Sequence, residues 1–171
     1  YNSFAQTGKG HGTQKGLLAG ILGYKVYDNR IKHIFEITKD IDYKYEYAND
    51  ISRHPNSVDI EINDEMYISG DSVGAGEIKI TSINGFSVGI SGNYHTILLI
   101  YKDKPGMIST VSNIIQARNI NIASLHCDRN EKGGKASMYI ALDTNADDDI
   151  VKEIEQISDV DYVTCIRKIE Q

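Results

Sequence analysis

The strongest constraint on the fold is a regular succession of apolar segments in residues 95–169. The run TILLIY is continuous and apolar, as expected for a central strand. The segment PGMISTVSNIIQA has apolar residues at helical spacing, and Asn119 follows it where a helix end often needs a left-handed residue. Two strand patterns, a helix that opens with three aspartates and the strand VDYVTCIRKI complete the series. The order βαββαβ predicts a ferredoxin-like sandwich, with two helices on one face of an antiparallel sheet.

Residues 1–92 have a different organisation, in which helices precede strands. Apolar segments predict helices over 16–22 and 31–37, and a two-residue alternation predicts strands over 43–47 and 58–62. Further strands are expected to be joined by glycine turns at Gly70, Gly74, Gly76 and Gly85. The whole chain is therefore predicted to be α+β, with a boundary between residues 92 and 93.

The composition of the chain limits the kinds of partner that it can bind and indicates its cellular compartment. The 171 residues carry a net charge of −6 with no basic stripe, which argues against nucleic acid and anionic membranes as partners. No apolar run approaches the roughly 20 residues that span a bilayer, and no signal-peptide pattern is present. Cys127 and Cys165 lie far apart within apolar runs, which predicts buried structural thiols and no metal site in this chain. A cytoplasmic protein is expected.

The stretch GKGHGTQKG places His11 between glycines, just before an apolar helix. Because glycine has no Cβ, flanking glycines let a backbone or a ligand come close, so the stretch predicts a loop that presents His11. It lacks the Gly-Lys-Ser/Thr ending of a P-loop and the preceding strand of a dinucleotide fingerprint. On this stretch alone, a solvated histidine at a helix entry is the simpler interpretation.

Residues 93–171 resemble an ACT domain, a small regulatory module that binds amino acids, usually at paired subunits. The resemblance rests on the DKPG segment at 103–106 and the NINI segment at 119–122. It implies that Asp103, Gly106 and Asn121 hold the amino and carboxylate groups of an effector. N–H groups at a helix start attract a carboxylate, which fits this role. A helix cap in a domain that serves only for dimerisation is an equally open interpretation.

Three motifs in residues 1–92 carry a second resemblance: the opening YNSFAQTGKGHGTQKGLLAGILGY, then HPNSVDIEI, then SGDSVGAGEIKITSINGF. In this order, and followed by an ACT domain, they resemble the β chain of bacterial iron–sulfur L-serine dehydratases. The resemblance implies an N-terminal lobe similar to allosteric substrate-binding lobes, over 1–92. A Ser-Ser-Ser-His-Thr motif of that family has no counterpart in this sequence, so the lobe is expected to be partial.

The same resemblance implies the chemistry of the site. His11 and His54 would face an active site shared with an α chain, which carries a 4Fe–4S cluster whose open iron acts as a Lewis acid on the serine hydroxyl. Neutral imidazole suits removal of the Cα proton, so His11 is the candidate base and His54 the candidate substrate-orienting residue. Lys9 and Asn56 are candidate substrate-binding residues, although Asn56 also fits the cap of a turn. The other three histidines are expected on the surface or on strands: His33, His95 and His126.

Two alternative functions remain open at this point. The chain resembles the allosteric lobe and ACT domain of some phosphoglycerate dehydrogenases, which would make it a non-catalytic, serine-sensing module. It is also compatible with an amino-acid-binding dimerisation protein that has no enzyme partner. The Gly-His-Gly-Thr and His-Pro-Asn motifs together favour the dehydratase chain. That resemblance implies L-serine as the substrate, and the resemblance to an ACT domain implies homodimerisation through that domain.

Overall fold

The computed structural model describes residues 1–169, so the last two residues of the predicted ACT domain lie outside the described residues. By its contacts the chain divides into two compact units, Tyr1–Val58 and Asp59–Gln171. The boundary predicted between residues 92 and 93 lies inside the second unit and stays a prediction. Within residues 1–169, no helix has both the length and the apolar character needed to cross a bilayer.

The first unit is helical. It contains α1 (Asn2–His11), α2 (Thr13–Ile21), a 3₁₀ helix (Asn29–His33) and α3 (Ile34–Ile37). The predicted helix over 16–22 is confirmed, while the one predicted over 31–37 is a 3₁₀ turn followed by a single α turn. A small core joins α2, the 3₁₀ helix and α3, and its buried members are Leu18, Ala19 and Ile34.

The strand predicted over residues 43–47 is wrong, because residues 42–50 have no regular secondary structure. The alternating tyrosines use their side chains instead of a backbone ladder. The Tyr45 hydroxyl donates to the Gln14 carbonyl at 2.8 Å, and the Tyr43 ring lies edge-on to the Tyr45 ring. An alternating sequence forms a strand only where a neighbouring strand accepts its N–H groups, and here the tyrosines pack on helices.

The second unit contains a four-stranded sheet in the order β1-β2-β3-β4. Its strands are β1 (Ser57–Ile62, whose first two residues belong to the first unit), β2 (Met66–Gly74), β3 (Glu77–Ile83) and β4 (Phe86–Ile90). Asn84 and Gly85, with φ of 49° and 82°, form the tight turn between β3 and β4. Gly70 was predicted to be a turn residue, and this is wrong. It lies inside β2 at a shift in register, where a Cβ would come within 3.3 Å of the Lys79 carbonyl oxygen.

The βαββαβ order predicted for the C-terminal part is confirmed. The elements are β5 (His95–Lys102), α4 (Met107–Ala117), β6 (Ile122–Arg129), β7 (Lys135–Leu142), α5 (Asp148–Glu155) and β8 (Val160–Ile166). The sheet order is β6-β7-β5-β8, and all neighbouring strands are antiparallel. Asn119 ends the α4 region with a φ of 55°, as its position predicted.

The central strand β5 is covered on both faces, which explains its unbroken apolar sequence. Alternate residues such as Leu99 pack with Val111 of α4 and Ile150 of α5. On the opposite face, Leu98 packs with a cluster from β3 and β4 that includes Val88. At Gly89 the two sheets are so close that a Cβ would lie 3.0 Å from the Tyr139 hydroxyl.

The start of α5 provides a test of the fold. Asp147 is the N-cap, and its carboxylate accepts the Ile150 N–H at 2.8 Å, whereas Asp149 lies exposed and pairs with Lys152 at 3.5 Å. We expect Asp147→Ala to lower the free energy of unfolding by about 1 kcal/mol because it removes the cap. Asp149→Ala removes the same charge from the same turn and should lower the free energy of unfolding by at most a few tenths of a kcal/mol. Urea denaturation of both variants measures the difference, and equal losses would contradict the assigned cap.

Candidate functional site

His11 is the last residue of α1, so the loop predicted around it is wrong. Four glycines in nine residues suggested an irregular backbone, yet only Gly12 departs from helical geometry. It has a φ of 71° and joins α1 directly to α2, with its N–H bonded to the Gly8 carbonyl. The side chain of His11 is exposed, as expected for a residue that meets a ligand or solvent.

Gly8 has a separate structural role in the same stretch. It is buried, and a Cβ at this position would lie 3.3 Å from the Thr13 Cβ, so α1 and α2 pack closely here. Gly10 and Gly16 have open space where a Cβ would be. Two of the four glycines thus determine the geometry that holds His11 at the end of α1.

Replacing the two glycines that flank His11 with alanine should change the stability of the protein in opposite directions. At Gly12 a Cβ has room, but alanine is unfavourable at positive φ, so Gly12→Ala should cost about 1 kcal/mol of stability. At Gly10 the backbone is helical and the space is open, so Gly10→Ala should raise stability by up to about 1 kcal/mol. Urea denaturation measures both values, and a gain at Gly12 would contradict the left-handed join.

His54 lies half-buried in a turn that precedes β1. Its Nδ1 accepts the N–H of Asn56 at 3.2 Å, and the Ser57 hydroxyl donates to the His54 carbonyl at 3.0 Å. Because Nδ1 is an acceptor, the neutral ring carries its proton on Nε2. His54 can therefore donate a hydrogen bond from Nε2 while its other nitrogen is held by the turn.

The structure places His11 and His54 at opposite ends of α1. The turn that carries His54 is bonded to the start of the helix, where the Phe4 N–H donates to the Pro55 carbonyl at 3.4 Å. His11 lies seven residues further along α1, which corresponds to roughly 10 Å of helix rise. No hydrogen bond joins the two imidazoles among the described residues.

The two remaining candidates of this unit have different surroundings. Lys9 is exposed, and its ammonium lies 5.6 Å from the centre of the Tyr47 ring. Residues two positions apart point to different sides of a helix, so Lys9 does not share the side occupied by His11. Asn56 is half-buried and joins His54 through its backbone N–H.

In the second unit, Asp103 and Gly106 line one cleft of about 740 Å³ between the end of β5, the start of α4 and β6. Gly106 is the N-cap of α4, with a φ of 97°. The Asp103 carboxylate accepts from the Gly133 N–H and from the Arg129 guanidinium, each at 3.1 Å. These two donors hold the pKa of Asp103 below its usual range. Asp103 thus already binds the β6–β7 turn and the strand beside it.

Asn121 is far from that cleft within one chain. It lies just before β6, where its amide donates to the Asp143 carboxylate at 2.7 Å. Arg129, the residue that contacts Asp103, is at the other end of β6, roughly 25 Å along an extended strand. The structure therefore groups Asp103 with Gly106 and separates both from Asn121.

Sequence reasoning missed two members of this cleft, Tyr101 and Cys127. Cys127 was predicted to be buried, which is wrong: it is exposed, because β6 is an edge strand with a neighbour on one side. Partial burial of the groups raises the pKa of the Tyr101 hydroxyl and of the Cys127 thiol, which hydrogen-bond each other. Alternation along β6 places Cys127 beside Arg129 on one face, a signal that could have found it.

The two cysteines of the chain lie on different strands of the second unit. Iron–sulfur clusters are held by several thiolates at one place. Cys127 and Cys165 lie on β6 and β8, the two edges of one sheet, about 14 Å apart across four strands. Within residues 1–169, no group of three histidine, cysteine or acidic side chains could hold a metal ion.

Comparison with known proteins agrees with this architecture. The family model of the AHAS small subunit-like ACT domain matches residues 97–164. The ACT domain from a GTP pyrophosphokinase of Chlorobium tepidum covers 42% of this chain and 95% of its own, at 16% identity and a TM-score of 0.35. The strand order and the family match together define an α+β protein with an ACT domain.

Curated relatives define the family more narrowly. The probable L-serine dehydratase β chain of Bacillus subtilis (strain 168) is 37% identical over 171 residues, 97% of this chain and 78% of the relative. The L-serine dehydratase β chain of Peptoniphilus asaccharolyticus is 38% identical over 150 residues, 84% of this chain and 68% of the relative. The chain belongs to the family of L-serine dehydratase β chains. A D-3-phosphoglycerate dehydrogenase of Bacillus subtilis (strain 168) is 35% identical over 88 residues, 52% of this chain and 17% of the relative.

Proposed function

We propose that this chain is the β subunit of a cytoplasmic, iron–sulfur-dependent L-serine dehydratase, which converts L-serine to pyruvate and ammonia. The observation that carries the proposal is the identity of 37% over 97% of the chain to a probable β chain of this enzyme. In this proposal an α chain supplies the 4Fe–4S cluster.

The reaction removes a proton from Cα and the hydroxyl from Cβ of serine, and it needs an anchor for the carboxylate. The resulting enamine becomes an imine, and water then releases ammonia and pyruvate. A base with a pKa near the working pH suits the first step. The substrate must be held so that the Cα proton faces that base.

His11 fits the role of base. It is exposed at the end of α1, so a bound serine can reach its imidazole. Gly12 leaves the space beside His11 open, since nothing lies within 4 Å of the position a Cβ would take.

His54 fits an orienting role better than a basic one. Its Nδ1 is occupied by the Asn56 N–H, so the neutral ring offers a donor at Nε2. Such a donor can bind a carboxylate or hydroxyl oxygen of serine. Lys9 and Asn56 complete the proposed substrate contacts, with Lys9 as the cation for the carboxylate. With the histidines at the two ends of α1, the partner α chain must complete the site.

A second candidate function is a non-catalytic module that senses serine. It is favoured by the 35% identity over 88 residues to a phosphoglycerate dehydrogenase. That likeness covers 52% of this chain, whereas the dehydratase relative matches 97% of it. The catalytic role is therefore the better supported of the two.

A histidine variant tests the catalytic proposal. In the complex with its α chain, His11→Ala should lower kcat about 10²–10⁴-fold, the usual contribution of a general base. His33 is a matched control, because it is another exposed histidine of the same unit, beside Glu36 in the 3₁₀ region. His33→Ala should leave kcat unchanged.

Pyruvate formation is the measurement, and cluster absorbance verifies that each complex is intact. A His11→Ala complex with wild-type kcat would contradict the assigned base. Pyruvate formation by this chain alone, free of metal, would contradict the need for an α chain.

We also propose that the ACT domain binds an amino acid at a homodimer interface. Asp103 and Gly106 lie at one end of the sheet and Asn121 at the other, so only two chains can bring all three to one ligand. In such a site, the N–H groups at the start of α4 would bind the carboxylate. The Asp103 carboxylate would bind the ammonium.

Calorimetry of the full chain with serine and the other common amino acids tests the effector site. Asp103→Ala and Asn121→Ala should each abolish binding. Asp161→Ala should not, because Asp161 is exposed on β8, pairs with Lys135 at 3.1 Å and lies outside the cleft. If no amino acid binds at millimolar concentration, the domain serves assembly alone.

A further inference from the structure

The side chain of Asn2 makes an unusual number of hydrogen bonds to one short turn. Its Oδ1 accepts the Asp50 N–H at 2.9 Å, and its Nδ2 donates to the Asp50 carbonyl at 2.8 Å. The same Nδ2 lies 3.4 Å from the carbonyls of Arg53 and His54. One amide thus contacts both ends of the turn formed by residues 50–54, which we name the His54 turn.

We propose that Asn2 is the positioning residue of His54: its amide fixes the His54 turn and with it the direction of the imidazole. The catalytic consequence rests on the proposed function, in which His54 orients serine. The structural part does not, because it concerns only the conformation of this chain.

The backbone of Asn2 supports a specific role for its side chain. Its φ is 44°, a left-handed conformation that costs most side chains about 1–2 kcal/mol and that asparagine tolerates. The Asn2 N–H also donates to the Ala48 carbonyl at 3.0 Å. Backbone and side chain therefore both connect the first residue of α1 to the segment that carries His54.

The remaining hydrogen bonds of the His54 turn are local, and each closes one half of it. The Asp50 carboxylate accepts from the Ser52 N–H at 2.9 Å and the Ser52 hydroxyl at 2.6 Å, which closes the first half of the turn. The Asn56 N–H closes the second half onto the His54 imidazole. Without the Asn2 amide, the Asp50 carbonyl keeps the Arg53 N–H at 3.1 Å and the His54 carbonyl keeps the Ser57 hydroxyl at 3.0 Å. What is lost is the side chain that joins the two halves of the turn.

Because Asn2 begins α1 and His11 ends it, the same helix connects both histidines. A helix of ten residues is a stiff spacer. The bonds of Asn2, together with the Phe4 N–H bond to the Pro55 carbonyl, therefore connect the position of His54 to that of His11. A change at Asn2 can therefore alter the geometry of the proposed substrate site, although the Asn2 side chain does not contact the substrate.

Two substitutions of Asn2 distinguish the role of its side-chain amide from that of its backbone conformation. Asn2→Gly removes the side chain and accepts the left-handed φ without strain. Asn2→Asp keeps the size but replaces the donor with an oxygen that faces three carbonyl oxygens. Asn84→Gly is the matched control, since Asn84 also has a left-handed φ, of 49°, and its Oδ1 accepts the Tyr67 N–H at 2.7 Å.

The first readout is the ¹⁵N NMR spectrum of the histidine rings in the full chain, which reports tautomer and hydrogen bonding. Wild type and Asn84→Gly should show His54 with Nδ1 as an acceptor and the proton on Nε2. Asn2→Gly and Asn2→Asp should both show a mixture of tautomers at His54, with His33 unchanged. An unchanged His54 signal in Asn2→Gly overturns the proposal, and an unchanged signal in Asn2→Asp overturns the role of the Nδ2 donor.

The second readout is steady-state kinetics of the complex with the α chain. Asn2→Gly should lower kcat/KM roughly 10–100-fold, mainly through KM, because serine binds to a misdirected imidazole. Asn84→Gly should retain wild-type values. If the NMR signal moves while the kinetics stay unchanged, the orienting role of His54 in the proposed function fails and the structural part of the inference stands. A fall in kcat alone, with KM unchanged, overturns the catalytic part of the proposal.

Discussion

Burial of β5 on both of its faces is the constraint on which the second unit depends. One face meets α4 and α5 through Leu99 and its alternate neighbours, and the other meets β3 and β4 through Leu98. Because both sets come from one strand, the sheet of β1–β4 and the two helices are held by a shared element. Asp103, at the end of β5, derives its position directly from that strand, and the site residues on β6 derive theirs through β7, which pairs with both strands.

The first unit is stabilised differently. Its apolar core has three buried members, and many of its large apolar side chains are exposed, among them Val26 at 85% and Tyr27 at 79%. Side chain to backbone hydrogen bonds supply much of the order, from Asn2 at the His54 turn to Tyr45 at the Gln14 carbonyl. Such bonds contribute only about 1 kcal/mol each in net terms. A unit of this kind gains most from a partner surface, which agrees with the proposed α chain.

The two candidate sites differ in how much of each is contained in one chain. At the cleft beside α4, Asp103 already has two donors within the chain, Arg129 and Gly133. An effector must therefore compete with these bonds or add to them, which couples ligand binding to the β6–β7 turn. In the first unit the candidate groups stay exposed or half-buried, as the proposed site shared with an α chain requires.

The sequence by itself determined the order βαββαβ, the acidic start of α5, the left-handed Asn119 and the family resemblance, since each depends on local period or on motifs. Tertiary structure decided the rest. Whether Tyr43 to Tyr47 form a strand depends on a neighbouring ladder that the tyrosines lack, and Cys127 is exposed because β6 is an edge strand. His11 lies on a helix because only Gly12 among its glycines needs a left-handed backbone. The contacts of Asn2 join residues about fifty positions apart, and no local pattern in the sequence encodes a pairing over that separation.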